Sequence, residues 1–160
     1  MKVVIIAVLL MLSAICSATE TAFSSCNRIR LKKLADDGNK SAKKAMNICD
    51  NFDKALTAIL VGNNVVNISS SSIATVLFTE KFGKGSVGLA TVVMTVLVLI
   101  FGEILPKSLA KENSERFSIL MAAPLSAFMF IITPITAIFM GIKSGVSKLI
   151  IVACDASDNT

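Results

Sequence analysis

Histidine, tryptophan and tyrosine are all missing from this chain of 160 residues. Without imidazole, the commonest transition-metal ligand and the commonest general acid–base are gone. Four cysteines, Cys16, Cys26, Cys49 and Cys154, are scattered with no C-x-x-C spacing, which argues against zinc and iron–sulfur sites; they read as small buried apolar residues. No nucleophile–base pair stands out, so the chain does not read as an enzyme. Most of the aromatic equipment for stacking on bases is absent too. Charge is scarce, at 17% of residues against about 25% in an ordinary soluble domain.

What is abundant is apolar sequence: 54% hydrophobic residues and a mean hydropathy of +0.74, arranged in blocks rather than in a period. This is the composition of a multi-pass cell-membrane protein, and the length suits one membrane domain. The net charge of +5 does not point to nucleic acid, because seven basic residues are gathered between Arg28 and Lys44, beside an apolar segment. Such clusters mark the cytoplasmic side of a membrane and touch anionic lipid.

Residues 1–18 have the form of a secretory signal peptide, with Lys2, an apolar core and the small residues Cys16, Ser17 and Ala18. Apolar character nevertheless runs on to Phe23. The stretch 1–23 is about 33 Å long as a helix, enough to cross a bilayer, and the basic cluster follows it. A retained first helix entering the cytoplasm is therefore expected, with Met1 attached. Residues 28–53 alternate charged and apolar positions around the turn Asp36-Asp37-Gly38-Asn39, which predicts two short amphipathic helices on the cytoplasmic surface. Further spans are expected at 54–79 and 87–105, joined by a tight turn, the second stopping at Pro106-Lys107. The run 117–142 is long enough to span but contains Pro124 and Pro134; shorter broken helices at the cytoplasmic interface are expected there. The fold class is thus all-α: three transmembrane helices plus a cytoplasmic belt of juxtamembrane helices, occupying 1–150, with a linker beginning in 151–160.

Each expected span carries oxygen-bearing residues: SATET at 17–21, GNNVVN at 62–67 and FGEILPK at 101–107. Asn63 and Asn67, four apart, share a helix face. Counting 1.5 Å per residue from the cytoplasmic ends puts Ser17, Asn63 and Glu103 at depths of about 9, 14 and 6 Å, compatible with one polar cluster. Hard cations such as magnesium favour oxygen-only ligands of this kind. Pro106 cannot donate to the carbonyl four residues back, which makes the Gly102 carbonyl a further candidate. Plainer readings stand beside these. The two Asn side chains serve equally to bond neighbouring helices, Glu20 to snorkel or cap, and residues 69–72 to allow close helix contact.

At these residues the chain resembles the transmembrane domain of the CorC/CNNM family of magnesium transport and efflux proteins. The likeness lies in SATETAFSSCNRIRLKKL, NFDKALTAILVGNNVVNISSSSIATVL and VLIFGEILPKSLAKENSERF, taken in order. The resemblance implies magnesium transport across the membrane, efflux exchanged against sodium, a homodimer, and a magnesium site using Ser17, Asn63, Asn67 and Glu103. It also implies cytoplasmic CBS domains following this region in the full-length protein. A membrane scaffold whose polar residues only hold helices together is the alternative.

Overall fold

In the computed structural model, which describes the backbone of residues 1–157 and most side chains as far as residue 141, every regular element is helical. The chain runs α1 (Lys2–Ser25), α2 (Arg28–Asp36), α3 (Lys40–Asp50), α4 (Phe52–Phe82), a 3-10 turn (Lys84–Ser86), α5 (Val87–Leu97), a π-helical stretch (Val98–Ile104), α6 (Leu105–Glu112) and α7 (Ser114–Ser157).

The two expected amphipathic helices are α2 and α3, and their ends are set by asparagine. Asn27 Oδ1 accepts from the Ile29 and Arg30 amides at 3.0 and 3.2 Å, and Asn39 Oδ1 from the Ser41 and Ala42 amides at 3.0 and 3.1 Å; both satisfy otherwise orphaned helix-start donors. Between them Gly38 sits at φ +92°. Its amide bonds the Ala35 carbonyl, and the Asn39 amide bonds the Leu34 carbonyl. This pairing closes a helix with a left-handed residue, which glycine adopts without steric cost.

α1 is the central element, packed against α4, α6, the π stretch and α7. α1 and α4 run antiparallel. Lys2 pairs with Glu80, Ile6 shares a core cluster with Ala74 and Met94, and Phe23 shares another with Ala55 and Ile59. That second cluster also takes in Leu31, Ile48, Ala122 and Leu125, so α2, α3 and α7 close over the same end. Small residues allow the close approach: Ala22, Ala42, Ala45, Ala55, Ala90 and Ala122 are fully buried. The outside is apolar, with Val4, Met11, Val65, Ile68, Val92 and Ile104 exposed, while Ser13, Ser17 and Ser70 are wholly buried. A surface of this kind suits hydrocarbon rather than water.

Among the described residues, three helices are long and apolar enough to cross a membrane: Lys2–Ser25, Lys84–Glu112 and Ser114–Ile135. The number agrees with expectation, but the membership differs. α4, with 31 residues, is long enough, yet Asn63, Asn64, Asn67 and the serines at 69–72 dilute its apolar run. The stretch 117–142, expected to be broken, lies within the continuous α7, which runs through both Pro124 and Pro134. Each proline removes one backbone donor, which would have met the Leu120 and Phe130 carbonyls, and helices at membrane depth tolerate this where neighbours compensate; nearby, Ser126 Oγ and Thr133 Oγ1 bond the Ala122 and Met129 carbonyls, both at 2.7 Å. The third expected span does not stop at Pro106 either. Pro106 stands at the start of α6, and the helix continues through it to Glu112. Residues 151–157, where a linker is expected to begin, are helical, and 158–160 lie outside the described residues.

Candidate ion site between α1, α4 and the π stretch

The polar residues occupy a layer between the two apolar clusters of the α1–α4 interface. At its centre is Ser13, fully buried, whose Oγ lies 2.8 Å from Asn63 Oδ1 and donates to it. The third wall is Gly102: a Cβ built on it would lie 3.0 Å from Ser13 Oγ. Glycine suits the close approach of backbone to hydroxyl here; its φ is not positive. Asn63 and Gly102, both anticipated from sequence, thus converge on one residue that was not. The missed signal is the spacing: Ser13 and Ser17 are four apart on α1, as Asn63 and Asn67 are on α4.

Ser17 and Asn67 flank this centre. Because the two helices are antiparallel, Ser17 lies about 6 Å along α1 towards the α2–α3 end, and Asn67 about 6 Å along α4 the other way. Side chains lean towards their own helix N-terminus, so both lean back towards the Ser13–Asn63 level. Ser17 Oγ and Asn67 Oδ1 are buried and have no hydrogen-bond partner. Buried acceptors without a partner are uncommon in native proteins, where a bound water or ion commonly satisfies them. Asn67 also lines an open groove of about 430 Å³ between α4 and the α5–π segment, walled by Ser71, Ser72, Thr75 and Thr95 together with Met94 and Val98.

The π stretch positions the third component. Its bonds skip one extra residue, the Leu105 amide reaching the Ile100 carbonyl. The next bond in that register would join Pro106 to Phe101, and proline has no N–H. The ladder therefore breaks beside Gly102, with Phe101 short of a donor in the π register and Gly102 in the α register. π turns of this kind recur at functional sites. Glu103 follows immediately. It is half-buried and, among the described residues, forms no hydrogen bond or ion pair. Glu20, left open by the sequence, bonds across to α6 instead, its Oε2 lying 3.4 Å from Lys107 Nζ. Lys107, one turn beyond Glu103, is thereby drawn to another carboxylate. No group of three or more His, Cys, Asp or Glu side chains gathers among the described residues; the residues brought together at Ser13 offer hydroxyl, amide and backbone oxygens, and Glu103 follows Gly102 in the chain.

Residues 4–160 match the family profile described as CNNM, the Cyclin M transmembrane N-terminal domain. Among curated proteins, a UPF0053 protein of Haemophilus influenzae is 39% identical over 132 residues, covering 82% of this chain and 31% of that protein. The UPF0053 inner membrane protein YfjD of Escherichia coli is 35% identical over 145 residues, covering 84% of this chain and 34% of YfjD. A chloroplastic DUF21 domain-containing protein of Arabidopsis thaliana is 32% identical over 146 residues, covering 91% and 22% respectively. The chain thus spans about a third or less of the length of these relatives.

Proposed function

This chain belongs to the CNNM, or Cyclin M, transmembrane domain family, and from that membership we propose that it carries magnesium across the membrane. The path runs through the oxygen-lined layer between α1, α4 and the π stretch. The observation that supports this most directly is the pair of buried acceptors without partners, Ser17 Oγ and Asn67 Oδ1, on either side of an Asn63 that meets Ser13. Magnesium is held by oxygen and keeps part of its water shell, so a layer of mostly neutral oxygens suits passage better than tight retention. Glu103 supplies the full negative charge and Gly102 the backbone oxygen beside it. The reading includes residues 28–53 on the cytoplasmic side, sodium as counter-ion in an efflux cycle, and a homodimer. It is a reading of a transporter rather than of an enzyme.

Flux in sealed vesicles, with magnesium and sodium gradients imposed separately, tests transport and coupling. Magnesium-dependent thermal stabilisation of the purified domain tests binding, since a ligand held only by the folded state raises its melting temperature. Glu103→Gln is expected to abolish both the stabilisation and the flux. In metal-free buffer it should leave the domain as stable as before or more so, because an unpaired carboxylate at membrane depth is costly. A variant that retains the full magnesium-dependent shift would overturn the site.

A second reading has its own observation. The Ser13–Asn63 hydrogen bond is a helix-to-helix bond of the sort that membrane amides commonly make, and a scaffold would need no more. The metal-dependent shift separates the two.

A further inference from the structure

Cys26 and Cys49, whose spacing along the chain gives no reason to pair them, lie with their sulfurs 3.5 Å apart. From this juxtaposition at the joint of α1, α3 and α7 we propose that they form a reversible disulfide, making this joint a site of redox modification.

The local fold builds the pair. Cys26 is the residue that ends α1, and Cys49 is in the last turn of α3. The α2–α3 hairpin, turned at Gly38, brings the second back to the first. Arg28 Nη2 donates to the Cys49 carbonyl at 2.9 Å, and Cys26 Sγ to the Phe23 carbonyl at 3.3 Å, so both backbones are tied down. Cys49 is buried and Cys26 partly exposed, which gives an entering reagent one accessible sulfur. Closing the gap from 3.5 Å to a disulfide length of about 2.0 Å brings the two sulfurs only about 1.5 Å closer. Ser118 of α7 lies at the same joint, buried and close enough to bear on the Cys26 thiol.

The two thiols are also unequal. The hydrogen bond from Cys49 brings the Cys26 thiol down to about 7, against burial and with help from the Ser118 hydroxyl and the Arg28 guanidinium. Its partner moves up, chiefly through that same bond, then through burial and the charge of Cys26. Cys26 is therefore the attacking thiolate and Cys49 the resolving thiol. With a low-molecular-weight disulfide as oxidant, Cys26 Sγ attacks one of its sulfurs, forming a mixed disulfide and expelling a thiolate. Cys49 then gives its proton to that thiolate and attacks Cys26 Sγ, expelling a second thiolate, which takes from water the proton that Cys26 gave up. The protein loses two protons and two electrons, and the oxidant becomes two thiols. The new bond spans α1 and α3 just before α4 begins, holding the α1 and α4 ends at a fixed spacing.

The test treats the full chain, in detergent, with oxidised glutathione, followed by alkylation and non-reducing peptide mapping. The expected result is a peptide cross-linked through Cys26 and Cys49, reopened by dithiothreitol, with a raised melting temperature while closed. Cys49→Ser should instead accumulate a glutathione adduct on Cys26. The rate of adduct formation in that variant should still rise with pH, because the serine hydroxyl can donate to Cys26 where the Cys49 thiol did. In the wild type, where Arg28 from α2 and Cys49 and Asp50 from α3 are the charged or titratable groups at the joint, the rate should rise about tenfold between pH 6 and 8 and then level off. Both thiols remaining open to alkylation after oxidation would overturn the proposal. So would a lasting glutathione adduct on wild-type Cys26, or cross-links made only through Cys16 or Cys154.

Discussion

Ser13 shows how a single hydroxyl can set the spacing of three helices. Its proton goes to Asn63 Oδ1 at 2.8 Å and its oxygen presses on Gly102, so it has little freedom to swing aside. A methyl group at Gly102 would meet Ser13 Oγ at 3.0 Å but Ser13 Cβ at 3.5 Å, an ordinary contact. Ser13→Ala should cost about 0.6–1.7 kcal/mol, the usual worth of a hydrogen bond between membrane helices. Gly102→Ala should cost about 1–3 kcal/mol by overpacking. The double variant should lose less than the two combined, by about 1 kcal/mol, because the clashing oxygen is gone. Any gain from alanine as a better helix former cancels in such a cycle. Thermal or chemical unfolding of the four proteins in one detergent measures the coupling, and additive losses would show that Gly102 and Ser13 do not meet.

Among the elements, what is legible in the sequence depends on whether its rules are those of water or of lipid. The α2–α3 hairpin is readable because capping and turn chemistry are local: Asn27, Asn39 and Gly38 act where they stand. The stretch 117–142 defies expectation because proline breaks helices in water, whereas α7 passes through Pro124 and Pro134 unbroken. α4 has the length of an ordinary span, although its amides and serines make it the most polar of the long buried helices. Asn63 and Gly102 can be found because a polar or glycine residue inside an apolar run stands out. Ser13 is harder to find, because a small hydroxyl barely interrupts such a run; only its four-residue spacing from Ser17 marks it, and its role depends on what lies across the interface. The α4–α7 contact offers a test at this scale. A Cβ on Gly62 would lie 2.7 Å from Phe128 Cζ, so Gly62→Ala requires the ring to swing or α4 to shift. It should cost about 1–3 kcal/mol. Because Gly62 precedes Asn63, the metal-dependent thermal shift should shrink as well. Adding Phe128→Leu should restore most of both. If Gly62→Ala behaves as wild type without it, the two helices are not in close contact there.

For the whole molecule, the question is what covers the face of α4 and α5 turned away from α1. Most polar groups on that face need no partner: Ser72, Thr75, Thr91 and Thr95 each bond a carbonyl one turn back in their own helix, at 2.8 to 3.0 Å. Asn64 differs. It is exposed and, among the described residues, its amide makes no hydrogen bond, beside Val65 and Ile68, which are 59% and 67% exposed. Two donors and an acceptor facing hydrocarbon would be expensive, whereas the same amide set against a second copy of this face can bond across a two-fold axis. Gly88 on α5, with nothing within 4 Å of its missing side chain, leaves room for such an approach. The proposed homodimer should therefore use this face, and Asn64→Leu should shift it towards monomer while leaving the protomer folded. Detergent-corrected mass from light scattering reads the outcome directly. A wild-type chain that is monomeric in several detergents would remove the dimer, and a variant as dimeric as wild type would move the interface elsewhere.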